Sequence, residues 1–177
     1  MKLPEFIPLE KEIDMLIAGS NKRLACFLQI IKETAMRAGE VYRVKWTNID
    51  LERRTITLNE PEKGSNPRIW KISPKLAEML KNLPKQGEKV FPNKSLTSIR
   101  NTFIITKKRL AHKLQNPRLL RIGFHTIRHW KATMEYHKTK DILWVKNLLG
   151  HKKIENTEIY ITLEKAIFGD GTESEYH

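Results

Sequence analysis

The chain has 177 residues, with 33 Lys and Arg against 20 Asp and Glu and a formal charge of +13. That length suits a single domain with its own core, and the charge excess makes a polyanion, above all a phosphate backbone, the leading partner. No apolar run approaches the ~20 residues of a membrane span, and residues 1–8 lack the apolar stretch of a signal peptide. The single cysteine, Cys26, excludes an internal disulfide and a multi-cysteine zinc site.

Residues 9–18 carry Ile13, Leu16 and Ile17 at helical spacing, and Gly19-Ser20 ends the run. A second helix is expected over 21–36, with Asn21 as N-cap and Leu24, Phe27, Leu28 and Ile31 on one side. Cys26 falls inside it, as a core residue of an intracellular protein. Arg37 lies just past its end, and 40–46 reads as a third short helix. The period then changes to that of two strands, 55–58 and 68–72, joined by turn residues 62–67. Ser73-Pro74 is a helix start, N-cap followed by proline, for a helix running to about 83. Residues 84–88 form a loop. A long basic helix is predicted over 95–114 with Ile99, Phe103, Ile104 and Leu110 as its apolar side, broken by Asn116-Pro117-Arg118. Helices at 125–137 and 140–149 follow, the latter stopped by Gly150. Asn156 or Thr157 is expected to cap a last helix carrying Tyr160. The fold class is mainly α with a small antiparallel β-sheet (α+β).

Four groups of residues stand out. Arg37 follows an apolar helix, where a cation complements the helix dipole or, as a planar fork, clamps a phosphate. Glu40, three residues on, reads as a structural orienter of Arg37 or of nearby backbone, not as a general acid. Lys63 sits at a hairpin tip, where most lysines are simply solvated; Lys71 is a competitor inside a strand. His125 and Arg128 lie one helical turn apart and can face one phosphate, while His129 reads as a residue that packs or contacts the backbone, outside the site. His151 directly follows Gly150, and Tyr160 comes nine residues later. A phenol beside several cationic groups is what phosphodiester transesterification needs: a nucleophile, and charge to neutralise a pentacoordinate phosphorus. Arg68, Lys131, Lys152 and Lys153 are read as nucleic-acid phosphate contacts.

The order Arg37, Lys63, His125-x-x-Arg128, Leu149-Gly150-His151, Tyr160 resembles the catalytic domain of the tyrosine recombinases, the integrase and Xer-like family, over about residues 8–162. Where that family usually has Thr-Gly-Leu-Arg, this chain has Thr34-Ala35-Met36-Arg37, with the arginine still in register. The resemblance implies one catalytic domain, 1–177, with 163–177 as a tail. It assigns a nucleophilic Tyr160, clamps at Arg37 and Arg128, and a general acid at Lys63. His125 becomes an accessory donor or proton acceptor, and His151 a donor to a nonbridging oxygen. It implies no cofactor and no metal. Double-stranded DNA is the partner, on which monomers assemble as a tetramer in the cytoplasm of a prokaryotic or virus-infected cell. The Lys/Ile/Glu-rich composition suits a thermophilic archaeal source. The usual N-terminal core-binding domain is expected to be absent. Type IB topoisomerase chemistry and a non-catalytic integrase remnant are the alternatives. Ile167 and Phe168 either dock on a neighbouring subunit or fold back on their own chain.

Overall fold

Asn21 opens the helix around which the other elements assemble. In the computed structural model, which describes residues 2–169, its side-chain oxygen accepts from the Leu24 amide at 2.8 Å. This satisfies one of the amides that a helix start leaves open. The helix, α2 (Lys22–Thr34), is buried on nearly every side, from Leu24 through Ile31. It is flanked by α1 (Glu10–Ala18), α4 (Pro74–Lys81) and α6 (Phe124–Thr139). Its apolar content therefore exceeds the single stripe of a surface helix. Cys26 is fully buried here, and burial pushes its thiol up to about 12. Phe27 meets Phe91 and Phe124 at ring separations of 5.1 and 5.0 Å, and Phe124 stacks on Phe103 of α5 (Leu96–Lys113).

The third helix differs from the sequence expectation. α3 spans Ala38–Tyr42, and a single 3-10 turn, Trp46–Asn48, follows it. That turn feeds a two-residue strand, β1 (Ile49–Asp50), too short to leave a periodic signal. β1, β2 (Thr55–Leu58) and β3 (Arg68–Lys71) form an antiparallel sheet in that order, with Ile56 opposite both Ile49 and Trp70. Ile56, Leu58, Trp70 and Ile72 point into the core. The Ser73 hydroxyl caps α4 by accepting from Leu76 N at 3.0 Å, with Pro74 at the first turn.

α5 starts at Ser95 as its cap, yet Ile104 is 44% exposed. The buried side is Ile99, Phe103, Thr106, Leu110 and Ala111; Ile104 follows Phe103 by one residue, about 100° round the helix, and faces outward. α6 and α7 (Ile142–Leu149) are separated by Lys140, in the left-handed region at φ 53°, and Asp141 caps α7 through the amides of Leu143 and Trp144. The last helix, α8 (Ile159–Phe168), begins after Glu158, which makes no side-chain cap bond. Neither Asn156 nor Thr157 caps it; the Thr157 hydroxyl pairs instead with His151 Nδ1. A second, smaller core of Ala35, Ala132, Val145, Leu149, Tyr160 and Leu163 joins the end of α2 to α6, α7 and α8. Among the described residues no helix is long and apolar enough to cross a membrane. The acidic, turn-rich segment 170–175 lies outside the described residues.

Candidate active site

Three chain segments meet above that smaller core. The first is the α2–α3 turn. Ala35 takes a left-handed conformation at φ 60°, which turns its carbonyl to accept from Arg128 Nη1 at 2.6 Å. Two residues on, Arg37 caps α3, and its amide donates to Glu40 Oε1 at 3.0 Å. Its guanidinium donates to the Ser65 hydroxyl at 2.7 Å. The second segment is the β2–β3 connection. Ser65 bridges to His151 in strand fashion, and the Asn66 amide donates to the Gly150 carbonyl at 2.9 Å. The third is the α7 terminus. Gly150 sits at φ 74°, and a side chain there would collide with the Arg68 guanidinium, so only glycine fits on both counts.

Glu40 and Arg68 form the buried keystone. Arg68 Nη2 donates to Glu40 Oε2 at 2.6 Å, Nη1 to the Leu149 carbonyl at 2.9 Å, and Nε to the Asn66 carbonyl at 3.0 Å. Glu40 Oε2 also accepts from the Glu62 amide at 3.2 Å. One carboxylate thus ties the α2–α3 turn to the β2–β3 connection. This corrects the expectation for Arg68: it is buried with internal partners for every nitrogen, and offers nothing to a phosphate.

Arg128 is buried too. Its Nη2 donates to the Leu149 carbonyl at 3.3 Å and lies 3.4 Å from His151 Nε2. A guanidinium has no acceptor, so His151 Nε2 receives, and Nδ1 carries the hydrogen that goes to Thr157 Oγ1 at 2.9 Å. Burial, and then the guanidinium groups of Arg128, Arg37 and Arg68 with Lys146, push the His151 imidazole down to about 4. Burial, with His125 and Arg128 alongside, takes His129 to about 4 as well. His125 is lowered in the same direction by desolvation of its ring and by Arg128 and Arg37, with Glu62 opposing. Burial and neighbouring charge thus disfavour the imidazolium form at His129 and His151, and at His125 in the same direction, against the sequence reading of His125 and His151 among several cationic groups. Arg128 itself falls to about 10 through burial and its proximity to Arg37.

Tyr160 lies in the first turn of α8, 2% exposed, its hydroxyl 2.8 Å from His129 Nδ1. Burial raises the phenol to about 12, although Arg128 and Arg37 favour the phenolate. Burial outweighs the cations here. Lys63 stands exposed in the turn two residues before Ser65, and His125 is exposed at the start of α6. Lys71 donates to the Arg53 carbonyl at 2.9 Å on the outer side of the sheet, away from this cluster. Lys152 and Lys153 are exposed just beyond His151, whereas Lys131 is paired with Glu135 at 2.5 Å.

Sequence reasoning missed three members of the cluster. Ser65 gives no signal beyond a turn residue. Thr157 was assigned to a cap. His129, set aside as packing, touches the phenol; its spacing of four from His125 places both on one helix face and could have found it. Phe168 stacks on His137 of its own chain at 3.6 Å, and Glu164 bonds His137 at 2.7 Å and also pairs with Lys140. α8 is thus held in cis along α6. Among the described residues no group of three or more His, Cys, Asp or Glu side chains is placed to hold a metal.

The chain matches the Phage integrase family over residues 9–166. It is 28% identical over 175 residues to tyrosine recombinase XerH of Campylobacter jejuni, covering 90% of this chain and 49% of that protein. It is 30% identical over 154 residues to the integrase of Escherichia phage P2, covering 85% and 41%. The chain spans about half the length of the curated relatives it matches. Its fold is similar to the catalytic domain of bacteriophage HP1 integrase, with a TM-score of 0.65, 26% identity, and coverage of 92% and 93%. It is similar to a XerH recombinase bound to palindromic difH substrate in a post-cleavage complex, with a TM-score of 0.72, 23% identity, and coverage of 99% and 54%.

Proposed function

The chain belongs to the phage integrase family, and we propose that it is the catalytic domain of a site-specific DNA recombinase working through a 3′-phosphotyrosyl intermediate. The observation that carries this is the convergence of Arg37, Arg128, His151 and Tyr160 from four separate segments onto one small core. The electrostatic coupling of the Tyr160 phenol to both arginines supports it. So does the difH-bound state of the similar XerH structure.

In this mechanism Arg37 and Arg128 neutralise the scissile phosphate. Tyr160 Oη attacks phosphorus, the bond to the 5′ oxygen breaks, and Lys63 on its exposed turn gives that oxygen a proton. His151 Nε2, freed when Arg128 turns to the phosphate, takes up a proton in the phosphate's field and donates to a nonbridging oxygen. His125 stands at the open edge as an accessory donor. Arg128 and Tyr160 are covered, so DNA contact has to open the surface above them. The 5′-hydroxyl of a partner strand then attacks the phosphotyrosyl phosphorus and releases the phenol, so neither a metal nor a nucleotide cofactor is required. Two such exchanges between duplexes need four active sites, hence a tetramer on DNA built from monomers. Such a protein works on the chromosome, in a prokaryotic or virus-infected cell.

Covalent capture tests this reading. A nicked duplex selected from a random library for SDS-resistant capture should trap the wild-type chain and not Tyr160→Phe. Capture by the Phe variant would move the nucleophile elsewhere. Exchange of strands between two captured duplexes separates a recombinase from a topoisomerase, which only rejoins the strand it cut.

A further inference from the structure

The Tyr160 hydroxyl meets a group that the roles above leave unused. Its hydrogen-bond partner is His129 Nδ1, at 2.8 Å, and the two rings lie 5.8 Å apart. His125 and His151 are the other imidazoles of the cluster. His151 has both nitrogens engaged, Nδ1 with Thr157 and Nε2 with Arg128. His125 is exposed and stands edge-on to His129, ring centres 4.4 Å apart. His125, Arg128 and His129 occupy positions i, i+3 and i+4 of α6, so all three face one side. Tyr160 is held against that same side, and Arg128 and Arg37 act on its phenol.

We propose that His129 is a catalytic residue: its Nδ1 takes the proton of the Tyr160 hydroxyl as that oxygen attacks phosphorus. The inference rests on the phosphotyrosyl reading. The phenol hydrogen needs an acceptor in a nearly closed site, and a hydrogen on Nδ1 would leave it none. Nδ1 is therefore the bare nitrogen, with the ring hydrogen on Nε2. A neutral ring on the Tyr160 hydroxyl is a base that is ready at neutral pH, and the charge it gains beside Arg128 is offset by the phosphate arriving at that arginine. In the forward step the Tyr160 Oη–P bond forms with the oxygen lone pair and the P–O5′ bond breaks. The phenol proton passes to His129 Nδ1, and O5′ receives a proton from the Lys63 ammonium. On rejoining, the attacking 5′-hydroxyl returns its proton to Lys63, and the imidazolium returns its own to the departing phenolate. His129 thus serves as base in one direction and acid in the other.

Two measurements test this on the full chain. Long-range 1H–15N correlation of the His129 ring in the wild-type protein should show hydrogen on Nε2 and a bare Nδ1; hydrogen on Nδ1 overturns the proposal. Second, His129→Asn keeps an acceptor near the Nδ1 position but cannot take a proton. Single-turnover capture of the selected nicked duplex by His129→Asn should fall about 10²–10⁴-fold, the usual contribution of a positioned acid–base group. DNA affinity and thermal midpoint should stay near wild type. A His129→Asn variant that captures at the wild-type rate reduces His129 to a holder of the hydroxyl and overturns the proposal, while leaving Tyr160 as nucleophile. Capture by Tyr160→Phe instead removes the parent reading.

Discussion

Arg68 and Arg128 donate to the same carbonyl oxygen, that of Leu149, at 2.9 and 3.3 Å. Two guanidinium groups from distant parts of the chain are thereby fixed to the last turn of α7, one residue before the left-handed Gly150. Arg68 also closes on Glu40, which is 0% exposed. Removing Arg68 strands a buried carboxylate, a change that typically costs about 3–5 kcal/mol. Arg68→Ala should therefore lower the urea unfolding free energy by about that amount, with no change in the salt slope of DNA binding. A variant that unfolds like wild type but binds DNA with a shallower slope would return Arg68 to the surface role first expected of it.

Histidine protonation sets a second expectation. His129 and His151 are both pushed down to about 4, and His125 is lowered in the same direction. A depressed imidazole means that the unfolded chain binds protons before the folded one does. Stability rises with pH wherever the unfolded state holds more protons. The contribution is complete above the ordinary histidine value of about 6.5 and is lost as pH falls from there toward 4. The carboxylates of buried Glu12 and Glu164 and half-buried Glu135 are lowered instead, so their contribution is lost only below the ordinary carboxylate range. Urea midpoints at pH 7.5, 6.0 and 5.0 should thus decline with acid, and decline less in His129→Phe. A flat profile over that window would show the imidazoles to be ordinary.

Much of this architecture was legible because local chemistry and tertiary demand agree. Asn21 and Ser73-Pro74 start helices where their side chains say they must, and Gly150 stops one. The order of Arg37, His125, Arg128, His151 and Tyr160 was readable because Arg37, His125, His151 and Tyr160 sit at element ends and Arg128 follows His125 by one helical turn. Arg68 was misread, although strand parity held the answer. In β3 the residues alternate inward and outward, so Arg68 shares the inward face with Trp70 and Ile72, while Ile69, apolar, is 66% exposed. Charge was given more weight than period. The lowering of the histidines was not legible at all, because it depends on burial and, for His125 and His151, on guanidinium groups contributed by other segments.

Lys63 offers a sharper test of roles. Its exposed turn is stitched to the α7 terminus through Ser65 and Asn66, so it can approach the 5′ side of a phosphate bound at Arg37. If it protonates the leaving oxygen, a substrate with sulfur in that position leaves without help. A 5′-phosphorothiolate duplex should restore capture by Lys63→Ala but not by Arg37→Ala. Without the sulfur, Arg37→Ala should be slower by about 10²–10³, the usual cost of one lost transition-state donor. Equal rescue of both variants, or of neither, removes the general-acid assignment.

The +13 charge should show itself in counterion release. If about six phosphates are neutralised, affinity for a random-sequence duplex falls by ~10³ between about 50 and 200 mM salt. The exposed lysines are the ones that should count. Lys152→Ala and Lys153→Ala should each reduce the salt slope by about 1, read by fluorescence anisotropy across a salt series. Lys131, paired with Glu135 at 2.5 Å across one helical turn, should leave the slope unchanged when replaced by Ala. Its loss acts instead on Glu135, which also accepts from the Trp144 indole at 3.2 Å. A slope lowered equally by Lys131→Ala would mean that DNA draws this ammonium away from Glu135 and that the α6 face extends the DNA contact beyond His151.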